Sequence, residues 1–80
     1  MTLRLQPAQV ETGSDDTESR LVFDDERLVA VLVRLSDRHE SDAGKWFLEV
    51  GFGCVDDPRK PIFRDLGEAE RWISGRLAQT

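Results

Sequence analysis

The sequence predicts an α+β domain: an antiparallel three-stranded β meander, four-stranded if a short extra strand forms, with one C-terminal α-helix packed on one face. Three observations predict it. Residues 21–52 hold β-rich runs separated by short polar turns. Residues 65–77 carry a capped helix with apolar residues at helical spacing. The chain has 80 residues, enough for one small domain with a thin core.

The first β-rich run is Leu21, Val22 and Phe23, and the turn residues Asp24, Asp25, Glu26 and Arg27 follow it. Residues 28–35 form the strongest strand pattern. Val29, Val31, Val33 and Leu35 share one face, and Leu28, Ala30 and Leu32 share the other. Both sets are apolar, so both faces of this strand expect cover. After the polar loop 36–44, residues 45–52 alternate again. Trp46, Leu48, Val50 and Phe52 point one way; Lys45, Phe47, Glu49 and Gly51 point the other. Two such strands joined by a short loop pair antiparallel. Ile62 and Phe63 supply the short extra strand. Asp65 is a good N-cap, with Glu68 three residues on as in a capping box. Leu66, Ala69, Ile73 and Leu77 form the buried stripe, Trp72 flanks it, and Glu68 can pair with Arg71. Gly75 lies opposite the stripe, where it weakens the last turns.

The helix is expected to cover Val29, Val31, Val33, Trp46, Leu48, Val50 and Phe52. Leu28, Ala30, Leu32 and Phe47 are then left on the open sheet face. Residues 11–20, ETGSDDTESR, have almost no apolar content. Such a stretch cannot offset its own ordering entropy, so residues 1–20 are expected to be disordered or loosely tethered, with a single domain at 21–80. Leu3 and Leu5 could start an edge strand, but Pro7 interrupts the run.

The net charge of −5 opposes nucleic-acid phosphates and anionic membranes. No apolar run approaches the roughly 20 residues of a membrane-spanning helix, and nothing at the N-terminus resembles a signal peptide. One cysteine excludes an internal disulfide, which favours a reducing cytoplasm. Asn and Tyr are absent and Arg outnumbers Lys nine to two, a usage expected of a GC-rich bacterial genome, so the high Arg count need not signal phosphate binding.

Catalytic chemistry finds little to use. Cys54 follows Gly51-Phe52-Gly53, and a reactive thiol needs a base or a positive field beside it. His39, the single histidine, lies at the far end of the same strand, roughly 25 Å away at the usual rise. Cys54 therefore reads as a small apolar residue at a strand end, and the two glycines as a bend or bulge where the strand leaves the sheet. His39, Glu40 and Asp42 make a weak metal set, because tight sites use several Cys and His ligands. Asp56 and Asp57 lie in a polar loop with no pattern of burial. No catalytic, cofactor or metal residue is assigned, and the chain is not expected to be an enzyme.

The sheet-plus-helix outline resembles small DNA-binding domains, such as the arm-binding domains of phage-type integrases, which lay a three-stranded sheet in the major groove. That resemblance would imply basic residues across the open face. Here the face offers Arg34 and Lys45 beside Glu49, Leu32 and Phe47, with Arg38, Arg59 and Lys60 in loops. Nucleic acid is accordingly disfavoured. The leading expectation is a protein-interaction or self-associating module, a homodimer in its simplest form, using Leu28, Ala30, Leu32 and Phe47. An acidic regulator or inhibitor of a basic partner is the remaining alternative.

Overall fold

The computed structural model describes residues 3–9 and 18–78, except for the side chains of Asp37, Arg38 and His39. Five strands follow in chain order: β1 (Leu3–Gln9), β2 (Glu18–Asp24), β3 (Arg27–Arg34), β4 (Trp46–Gly51) and β5 (Ile62–Phe63). Helix α1 (Leu66–Leu77) comes last. The sheet order is β1-β2-β3-β4-β5, and every neighbouring pair is antiparallel. The expected meander with a C-terminal helix is therefore present, with five strands in place of three or four.

The added strand corrects the expectation of disorder or loose tethering for residues 3–9 and 18–20. β1 pairs with β2 along its whole length, from Leu3 opposite Asp24 to Gln9 opposite Glu18. Leu3 and Leu5 pack against the core. Pro7 fits because β1 is an edge strand. Ser19 Oγ donates to the Ala8 carbonyl at 2.9 Å, so that carbonyl faces β2. Backbone groups alternate in direction along a strand, which puts the Pro7 nitrogen on the outer edge, where no ladder bond is lost. The rest of the expected tether, residues 1–2 and 10–17, lies outside the described residues.

Two bulges decide which side chains meet the helix. Val22 faces Ala30 and Phe23 faces Leu28, leaving Val29 as an extra residue. Val31 faces Val50 and Leu32 faces Leu48, leaving Glu49 extra. Each insertion changes the parity of its strand, so side chains beyond it move to the opposite face. The helix-side core consequently contains Val22, Val29, Ala30, Leu32, Trp46, Leu48, Val55 and Phe63, together with Ala69 and Ile73 of α1. Ala30 and Leu32 were expected on the open face and are instead fully buried under the helix. Val31, Val33 and Val50 were expected in that core and belong to the other side. Phe52 has left the strand and is 48% exposed.

α1 starts at Asp65, whose carboxylate accepts the Glu68 N–H at 2.8 Å. Glu68 turns back toward the chain before the helix: its carboxylate accepts the Arg64 N–H at 3.2 Å and lies 3.6 Å from Arg64 Nε. That pairing replaces the expected one with Arg71. Ala69 and Ile73 are fully buried, with Leu66, Trp72 and Leu77 around them. Trp72 packs on Phe63 with ring centres 5.4 Å apart and a 53° tilt, an edge-biased geometry that aromatic quadrupoles favour. No helix among the described residues is long and apolar enough to cross a membrane.

Candidate interaction face

Partners in an antiparallel register share a face, so the pairing defines the sheet surface away from α1 as a set of cross-strand rows. One row runs Gln6, Leu21, Val31, Val50. The next runs Ala8, Ser19, Val33, Phe47, Ile62. At the hairpin end, Arg4 stands opposite Phe23 with its guanidinium carbon 4.4 Å from the ring centre, a cation–π contact. Ser19 and Val33 are buried, which leaves the accessible apolar surface around Phe47, Val31, Val50 and Ile62. Val50 is 36% exposed and Ile62 is 43% exposed.

Of the four residues expected on this face, Phe47 keeps its place, and so does Leu28, which stands half-buried opposite Phe23 at the hairpin end; Ala30 and Leu32 belong to the core. The face gains Leu21, Phe23, Val31, Val33, Val50 and Ile62. Bulges carry no simple sequence mark, and alternation assigned Val31, Val33 and Val50 to the helix side for that reason.

The stretch around Cys54 is built as structure. The chain leaves β4 through Gly51 and folds back in a 3-10 turn, Gly53–Val55. A Cβ on Gly51 would lie 2.5 Å from the Val55 carbonyl oxygen, so a close backbone approach requires glycine there. Gly53 takes a left-handed φ of 60°. Cys54 is half-buried against the core. Its carbonyl accepts Arg76 Nε at 2.8 Å. Arg59 and Lys60, the first cations after Cys54 in the chain, are used elsewhere: Arg59 binds Asp57, and Lys60 Nζ donates to the Glu49 carbonyl at 3.0 Å.

Asp57 departs most from its expected setting. It is buried, although its loop is polar. Oδ1 accepts the Arg59 backbone N–H at 2.9 Å and Arg59 Nε at 3.1 Å, Oδ2 accepts Arg59 Nη2 at 2.8 Å, and Arg76 Nη1 lies 3.7 Å away. The Arg59 side chain is the main cause, followed by its N–H, of a carboxyl pKa lowered from 3.8 to about 2. The Arg59 pKa is raised by the same bonds. Such a carboxylate stays ionised and serves as a fixed acceptor within the loop.

Three of the expected basic side chains are engaged within the fold. Lys45 pairs with Asp42 at 3.0 Å, and Arg59 and Lys60 are engaged as above. Arg34 stands opposite Trp46 on the helix side. The side chains of Arg38 and His39 lie outside the described residues. Among the described residues no three His, Cys, Asp or Glu side chains are placed to share a metal ion. Comparison of the chain with protein-family models, with curated proteins and with solved structures gave no match.

Proposed function

We propose that this chain is a protein-interaction module whose contact surface is the sheet face away from α1, centred on Phe47 with Val31, Val50 and Ile62. One observation carries the reading: Val50 and Ile62 remain 36% and 43% exposed on the side of the sheet that the helix does not cover. The simplest partner is a second copy placed across a two-fold axis, which lets each apolar face bury the other. The absence of Asn and Tyr supports a bacterial source, and the single free thiol supports a reducing cytoplasm.

Sedimentation equilibrium of the intact chain up to about 1 mM, a range that detects weak association, tests the proposal. The expected result is a mass approaching twice the 9.1 kDa of the chain. Phe47→Glu should return it to a monomer with an unchanged circular dichroism spectrum. A wild-type monomer throughout that range would overturn self-association. The nucleic-acid reading has no comparable support, because Lys45, Arg59 and Lys60 already hold partners in the fold. The acidic-regulator reading rests on the net charge of −5 alone.

A further inference from the structure

A second surface feature lies at the hairpin end of the sheet, beyond the last turn of α1. A cleft of about 520 Å³ opens there between Val29 of β3, Phe52 and Cys54 of the turn after β4, and Leu77 of α1. Its volume falls within the roughly 300–1,000 Å³ of small-molecule sites. Asp24 and Arg27 also line it. These two are register partners at the close of the β2–β3 hairpin. Neither joins an ion pair or a side-chain hydrogen bond among the described residues, although Arg20, Asp57, Arg59 and Arg76 do. Phe52 is 48% exposed, and nothing lies within 4 Å of a Cβ built on Gly53, so the cleft is open on that side.

The ligand chemistry follows from this lining. An apolar cation would meet the Arg27 guanidinium, and an apolar anion would meet the Asp24 carboxylate. A molecule carrying both charges on one carbon satisfies both groups, and its side chain lies against the apolar walls. We propose that the cleft binds a free α-amino acid with an apolar side chain. Arg27 takes its carboxylate through charge-assisted hydrogen bonds, Asp24 takes its ammonium group, and Val29, Phe52 and Leu77 contact its side chain. This site is separate from the open sheet face, so either proposal can fail without the other.

The test is a ¹H–¹⁵N correlation titration of the intact chain with L-leucine and with L-phenylalanine, each to about 20 mM, which covers millimolar affinities. Saturable shifts at the Arg27, Val29, Gly53, Cys54 and Leu77 amides are expected. Leucinamide lacks the carboxylate and 4-methylpentanoate lacks the ammonium group; each should bind about tenfold more weakly, as should leucine to Arg27→Gln or to Asp24→Asn, since each loses one charge-assisted contact. Both substitutions are at the surface end of a hairpin, and thermal melts should confirm that the variants fold. The proposal is overturned if neither amino acid gives saturable shifts, or if leucinamide or 4-methylpentanoate binds as tightly as leucine.

Discussion

Arg76 Nε donates to the carbonyl oxygen of Cys54 at 2.8 Å, joining the last turn of α1 to the turn that follows β4. The same guanidinium donates to the Asp56 carbonyl at 3.2 Å and stands over the Trp72 ring at 5.2 Å. It thereby holds the turn that carries Val55, a fully buried core residue. Arg76→Met keeps most of the aliphatic stem and removes the donors. Leaving a part-buried carbonyl without its partner costs about 1–3 kcal/mol. In a domain of this size each 1 kcal/mol lowers the melting temperature by roughly 4–8 °C. A thermal melt followed by circular dichroism reads the loss, and an unchanged midpoint would contradict the clamp.

Asp57 makes part of the stability depend on pH. Its folded pKa of about 2 lies below the ordinary 3.8, so the folded state favours the ionised form. The sign follows by linkage: the contribution is fully present above the unfolded pKa and is lost as pH falls through the folded value. Melting temperatures of the wild type should therefore fall between about pH 4 and pH 2. Asp57→Asn should flatten that part of the profile and lower stability at pH 7. A variant whose acid profile tracks the wild type would show that other carboxylates account for the decline.

Two glycines should respond in opposite directions. Gly75 is in the exposed face of α1, and a Cβ there meets nothing within 4 Å. Gly75→Ala should stabilise the domain by about 0.5–1 kcal/mol, because alanine loses less backbone freedom on entering a helix. At Gly51 the added Cβ would collide with the backbone of Val55 and Asp56. Gly51→Ala should destabilise by about 1–3 kcal/mol, the range for overpacking. Urea midpoints of the two variants separate the effects, and shifts of the same sign would refute this account.

Pro7 governs the outer edge of β1. With its nitrogen facing outward, the edge lacks one donor near its centre, which discourages strand addition by another chain. Pro7→Val, placed in the Phe47→Glu background to silence the open face, should raise the weight-average mass with concentration in light scattering. A strictly monomeric double variant would mean that the edge is guarded by something other than Pro7.

Much of this architecture was legible in the sequence. The Asp65–Glu68 spacing and the Leu66, Ala69, Ile73, Leu77 stripe located the helix, and the runs around Val31 and Leu48 located the two long strands. The faces were legible only in part: Val29, Trp46 and Leu48 lie under the helix and Phe47 away from it as the alternation implied, but Ala30, Val31, Leu32, Val33 and Val50 do not follow it. Residues 28–33 are all apolar, so alternation cannot tell Val31 from Leu32, and each bulge then changes the parity. β1 was hidden by its few apolar residues and by Pro7, whose placement depends on lying at an edge. For Asp57 a signal did exist. Asp-Pro-Arg is a turn sequence in which the aspartate accepts the N–H two residues on, and Arg59 makes that bond. The burial of Asp57 could not be read in the same way, because Arg76 reaches it from a distant part of the chain.

Strand order in the sheet repeats the order of the chain, and α1 comes last. Each strand can therefore pair with the one synthesised just before it, and no pairing waits for a distant segment. Short sequence separations of this kind favour rapid folding. The cover for Val22, Ala30, Leu32 and Leu48 is the exception, because Ala69 and Ile73 emerge after the sheet is complete. A chain lacking residues from 66 onward would present a paired sheet with its apolar floor bare, a species prone to aggregation or chaperone capture. The final turns of helix thus decide not only the stability of the finished domain but how long its nascent form stays sticky.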